Sequence, residues 1–162
     1  MHNRLVAKAL ALSLVSIGIM SFSKASAQET LACQGLDGES VDIAALYVDN
    51  FAGWHSVGEE AWLSFTSGSQ LIFHLCSVDN NNSYLIAQNS LGNNFNPGLF
   101  SRFEWSESNG QLFYCQQVYN SGSASEAEDF SVHPAADSSD PNDSGCGANG
   151  QFPWSQLVTI QR

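Results

Sequence analysis

Few residues of this chain have the type and spacing to do chemistry, and the most suggestive set is Asp140-Pro141-Asn142-Asp143-Ser144-Gly145. It has the D-x-N-x-S-G opening of a calcium loop, where side-chain oxygens at alternate positions face one cation and glycine permits the sharp turn. Asp140, Asn142 and Ser144 are the candidate ligands, and Asp137 and Asp129 could complete an irregular oxygen site. The run then departs from the pattern, with Cys146 at position seven and Gln151 where a bidentate glutamate belongs. The alternative is a solvated, turn-rich loop, and then no metal or other cofactor is implied.

Other catalytic arrangements carry less. Asp143-Ser144-Gly145 spells the short signature of aspartic proteases, but one copy lacks the second carboxylate that must share the proton. Glu104 and Glu107 lie on a strand and its adjoining turn, where solvent exposure is expected rather than a glycosidase cleft. His55, His74 and His133 are far apart, and no Gly-x-Ser-x-Gly or His-Glu-x-x-His occurs. No two cysteines have the Cys-x(2–4)-Cys spacing of a zinc site. The expectation is a protein that is not an enzyme.

The candidates for binding are Trp54, Trp105 and Arg102. Trp54, Trp62, Trp105 and Trp154, with four tyrosines, could stack on sugar rings, although aromatics in strands more often fill a core. Gly53-Trp54 is similar to the Gly-x-Trp of lipocalins, one residue short, and that likeness implies a barrel holding a small apolar ligand. Arg102 is the one basic residue in the body of the fold. It reads either as a structural ion pair with Asp137, Asp140 or Glu104, or as an anchor for a ligand's anion or carboxylate.

The elements that must position these residues read as short strands from Trp54 onward, with Val41–Tyr47 as a turn of helix or a strand. Ala61-Leu63-Phe65 alternates with Trp62-Ser64-Thr66, and Leu71-Phe73-Leu75 with Ile72-His74-Cys76; Tyr84–Gln88 is a short apolar run. Leu99–Trp105 and Leu112–Tyr119 form a hairpin around Asn109-Gly110. A two-residue turn opposes Trp105 to Tyr114. A three-residue turn with a bulge at Gly110 opposes Trp105 to Phe113 and Phe103 to Cys115, and is preferred because it sets Phe103 and Cys115 on one buried face. Residues 121–150 are a long acidic loop rich in Ser, Gly and Asp, pinned at its far end, and Leu157–Ile160 is a closing strand. The fold expected is all-β: one antiparallel meander of about six to eight short strands closing as a barrel or sandwich.

Residues 1–27 read as a signal peptide. Arg4 and Lys8 precede the apolar run Ala9–Met20, which is shorter than the roughly 20 residues that span a bilayer, and Ala25-Ser26-Ala27 offers a cleavage site. Thr30-Leu31-Ala32-Cys33 only loosely resembles a lipobox, so residues 28–162 are expected as one soluble domain, periplasmic or extracellular. Cleavage near Ala27 removes three of the five basic residues and none of the sixteen acidic ones, taking the formal charge from −11 to −14. Such a charge argues against nucleic acid and against anionic membrane surfaces as partners, leaving protein, glycan or small-molecule ligands open. In an oxidising compartment Cys33, Cys76, Cys115 and Cys146 are expected as two disulfides. Of the three pairings, Cys115–Cys146 with Cys33–Cys76 is favoured, because it ties the acidic loop and the N-terminal segment to the sheet.

A series of short motifs adds a resemblance. Leu85-Ile86-Ala87-Gln88-Asn89, Asn96-Pro97-Gly98-Leu99-Phe100-Ser101-Arg102-Phe103-Glu104-Trp105, Phe113-Tyr114-Cys115-Gln116, Ala136-Asp137-Ser138-Ser139-Asp140-Pro141, Gly145-Cys146-Gly147 and Phe152-Pro153-Trp154 occur in order. Over roughly Tyr47 to Leu157 the chain resembles a recurring domain of exported and lipid-anchored bacterial proteins of uncharacterised function. The resemblance implies a bacterial cell-envelope or secreted module and supports the Cys115–Cys146 pairing, but it brings no activity, cofactor or site residue. The chain departs from it at Phe100, where tryptophan is expected, and in its extra Cys33 and Cys76. The functional expectation is a binding or accessory module, with a small-ligand or carbohydrate carrier and a secreted hydrolase as alternatives.

Overall fold

The computed structural model describes residues 31–66 and 68–160. The signal segment, its cleavage point and Thr30 of the lipobox reading lie outside the described residues. Seven strands follow one another as a meander: β1 (Leu46–Asp49), β2 (Trp54–Val57), β3 (Ala61–Thr66), β4 (Ser69–Asp79), β5 (Tyr84–Asn89), β6 (Phe100–Ser108) and β7 (Gln111–Ser121). The chain then leaves the sheet for an excursion holding α1 (Ala124–Glu128) and the small hairpin β8 (Gly145–Cys146) and β9 (Phe152–Pro153). It returns as β10 (Ser155–Thr159), which pairs with both β7 and β1 and closes an eight-stranded antiparallel barrel. Closure removes the exposed strand edges that an open sheet would carry.

Period-two alternation turns Trp62, Phe73, Leu75, Phe103 and Trp105 inward, and their rings fill the barrel. Trp62 stacks on Phe103 with ring centroids 4.7 Å apart, and Phe73 meets Phe103 edge-on at 4.8 Å. One end is plugged by the segment before β1, whose Leu36, Val41 and Ile43 join the same core. The Cys33–Cys76 disulfide fastens that segment to β4, and Cys115–Cys146 fastens the excursion to β7. Both expected pairings are present.

The outer wall is unevenly covered. All six residues of β5 are buried, because its inner face meets the core and its outer face meets α1. Burial on both faces accounts for the unbroken apolar run in that strand. The excursion, expected as a loop that buries little, instead packs Ala127, Cys146 and Trp154 against the outer wall.

The β6–β7 hairpin differs from the preferred expectation. Trp105 opposes Tyr114 and Phe103 opposes Gln116, around a two-residue turn at Asn109-Gly110. Both turn residues have positive φ, 53° and 72°, as the favoured two-residue hairpin turns demand. Phe103 therefore faces the interior while Cys115, opposite Glu104, faces outward with Cys146. The irregularity lies further along, where the register shifts on either side of Arg102. The first strand is Leu46–Asp49, and Val41–Ala44 before it is a turn closed by Ala44 N–H donating to Val41 O at 2.9 Å.

Candidate functional site

Arg102 points outward from β6 into the excursion and is 0% exposed. Its Nε donates to Glu104 Oε1 at 2.8 Å, Nη1 to Ala127 O at 2.9 Å, and Nη2 to His133 O at 2.6 Å and Pro134 O at 3.1 Å. Phe130 lays its ring 4.1 Å below the guanidinium carbon. Glu104, on the same face two residues on, completes the cluster by accepting Ala136 N–H at 2.8 Å. Of the carboxylates weighed as partners for Arg102, Glu104 is the one that pairs with it. The guanidinium is turned wholly toward protein acceptors, which is the structural reading of this residue. Glu107, opposite Leu112, is exposed and forms no cleft with Glu104.

A second buried polar cluster lies inside the barrel, unforeseen from the sequence. Asp49 accepts Gly53 N–H at 2.6 Å, Phe51 N–H at 2.9 Å and His55 Nε2 at 3.0 Å. Gly53 lies so close that a Cβ there would sit 2.7 Å from the carboxylate, so the β1–β2 turn needs glycine. Trp62 Nε1 donates to His55 Nδ1 at 3.2 Å, which assigns the imidazole proton to Nε2. With both nitrogens engaged, His55 has no free position from which to act as a general base. Tyr114 OH lies 3.5 Å from His55 Nε2, and burial pushes its pKa up to about 12.

The acidic motif forms turns. Asp137 Oδ1 accepts Ser139 N–H at 3.0 Å and Asp140 Oδ1 accepts Asn142 N–H at 3.2 Å, each carboxylate closing the backbone two residues on. Hydrogen bonds from Ser139 hold Asp137 below the usual carboxylate range. Asp143 and Ser144 both donate backbone N–H groups to Asp140 O. Among the described residues no group of three or more His, Cys, Asp or Glu side chains converges on one point.

The tryptophans do not make a platform. Trp105 and Trp62 are core, Trp154 is buried with its Nε1 donating to Asp137 O at 3.1 Å, and only Trp54 is exposed, on the outer wall opposite Phe65.

An opening with mainly apolar walls lies at the unplugged end, where the β1–β2, β3–β4 and β5–β6 loops and the close of the excursion gather. β6 pairs with β7 as far as Ser121, but β10 pairs with it only over Leu112–Tyr114. Beyond Tyr114 the edge of β7 parts from β10 and the wall opens into a cleft of about 430 Å³. Leu71 and Phe73 form its inner wall, Tyr114 and Tyr119 one side, Phe95 the rim, and Phe152 and Pro153 the far side. The Cys115–Cys146 bridge and Gly147 N–H donating to Gln117 Oε1 at 2.8 Å hold the β8–β9 hairpin across the gap.

Polar groups in the cleft are few and placed. Asn89 donates to Asn96 O at 2.8 Å and Tyr119 O at 3.1 Å and accepts the Ser101 hydroxyl at 2.6 Å, which fixes the floor. Gln116, which also lines the cleft, donates its Nε2 to Ser101 Oγ at 3.0 Å. No charged side chain lines it, and its one aliphatic hydroxyl, on Ser155, has no histidine or carboxylate among the lining residues. Sequence reading missed it; the available signal was Phe95, a large apolar residue in the turn-rich run Ser90–Gly98. No family model, curated protein or solved structure matches this chain.

Proposed function

We propose that this protein is an exported binding module that holds one small, mainly apolar, uncharged ligand in the cleft at the mouth of its barrel. The observation that carries the reading is the cleft itself: aromatic and aliphatic walls, a braced amide floor, the polar side chains of Gln116 and Ser155, and no ionised group. A charged ligand would enter such a site without a counter-ion, at a heavy desolvation cost. The barrel interior is filled by rings, so the ligand would sit in the mouth rather than deep in a hollow calyx. Single exposed Trp54 gives less support to the carbohydrate alternative than clustered tryptophans would. The two disulfides fit an oxidising compartment, and the motif series fits an exported bacterial domain family.

The test is a fluorescence titration with the neutral apolar dye N-phenyl-1-naphthylamine. Saturable binding is expected. It should be weakened about tenfold or more when Ser155→Trp fills the cleft or Phe152→Ser strips its far wall, each removing the burial of roughly one aromatic contact. No saturable binding by the wild type, or equal binding by both folded variants, would overturn the reading.

A further inference from the structure

The turns and plug at one end of the barrel are acidic, whereas the loops at the other are uncharged, the acidic residues of the excursion such as Glu126 lying outside them. Glu59 and Glu60 between β2 and β3, Asp79 at the end of β4 and Glu107 near the β6–β7 turn stand at the plugged end. The plug adds Asp37, Glu39 and Asp42, tied there by Leu36 N–H to Glu59 O and Asp42 N–H to Asn80 Oδ1. At the mouth, loops 50–53 and 90–99 and the stretch 147–154 contain no charged residue. What they present instead is apolar: Phe51 is 58% exposed, Phe95 67% and Phe152 52%, with Leu91 beside them. Trp54, just behind the rim on the outer wall, is 56% exposed.

We propose that the mouth end docks on the interface of a zwitterionic lipid bilayer, seating Phe51, Leu91, Phe95 and Phe152 among the headgroups, and that the cleft exchanges its ligand there. This rests on the reading of the cleft as an apolar-ligand site. Three features select a lipid surface over a protein. The apolar residues stand on three separate stretches around an opening, the β1–β2 loop, the β5–β6 loop and β9. No arginine, a residue enriched at protein interfaces, stands in these stretches. Asn50 and Asn94, both exposed, occupy the same loops and can hydrogen-bond headgroups, while exposed Trp54 just behind the rim is of the type that lies at membrane interfaces. The acidic residues on the rest of the molecule disfavour an anionic leaflet and turn the mouth, not the plugged end, toward a neutral one.

The experiment uses the secreted protein, its N-terminus verified by mass, in flotation with phosphatidylcholine vesicles. The wild type should float with them and Trp54 emission should shift to the blue and be quenched by brominated lipid. Phe51→Ser with Leu91→Ser, neither lining the cleft, should cut partitioning about tenfold or more and leave the dye titration in solution unchanged. Absence of flotation, equal partitioning of the double variant, or a solution dimer that the same two substitutions dissociate would overturn docking. A protein that binds dye but not vesicles thus loses the docking proposal alone. One that floats as described but binds no dye supports docking and loses the cleft reading.

Discussion

The excursion between β7 and β10 meets the barrel in two places. Around Arg102 it closes down completely: three backbone carbonyls, Glu104 and the Phe130 ring enclose the guanidinium. Along the edge of β7 it arches over instead, held by a disulfide and one hydrogen bond, and leaves apolar walls open to solvent. A buried charge must be saturated, so the first contact tolerates no vacancy. An apolar cleft has no such requirement, so the second can stay open and receive something else. The residue with the most conspicuous chemistry is therefore a fastening, and the uncharged neighbourhood holds the proposed site.

Substitutions should separate the two contacts. Arg102→Met leaves Glu104 buried without its ion-pair partner and the Ala127 and His133 carbonyls without the donor that Arg102 supplies, so chemical denaturation should register a loss of about 3–5 kcal/mol. Replacing Cys115 and Cys146 together with serine should cost about 2–4 kcal/mol. It should also weaken dye binding, because the β8–β9 hairpin would no longer be held across the gap. A stable double variant with undiminished dye binding would show that the bridge does not shape the cleft.

Tyr114 connects the cleft to the buried Asp49–His55 pair. Its pKa of about 12 in the fold lies above that of an exposed tyrosine, so the folded state keeps the proton longer than the unfolded one. The resulting stability is present below about pH 10 and is lost as the pH rises toward the folded value. Denaturation midpoints between these limits should fall for the wild type and fall less for Tyr114→Phe, with phenolate absorbance at 295 nm appearing late. Smallest of all should be the effect of Phe95→Ser on stability, within about 0.5 kcal/mol for so exposed a side chain, while its dye affinity drops. That pairing of near-silent stability and altered binding is what distinguishes the open contact from the closed one.

The strands, the closing β10 and both disulfides were legible because each leaves a local mark: alternation, turn residues or a cysteine. The hairpin register was not, since Asn109-Gly110 fits two loop lengths and only the outward place of Cys115 decides between them. Arg102 stood out as a lone cation, but its partners are largely main-chain carbonyls of Ala127, His133 and Pro134, and any sequence supplies those. The cleft was the least legible. It exists because β10 is shorter than the edge of β7 beside it, and its walls come from four separate stretches of chain.

The most direct test of the cleft is a dye titration followed by amide resonances of the labelled protein. Binding in the mouth predicts saturable shifts in the side-chain amides of Asn96 and Gln116 and the backbone amides of Phe95 and Phe152, with those around Arg102 unmoved. Shifts confined to the outer wall, or none at saturating dye, would contradict it.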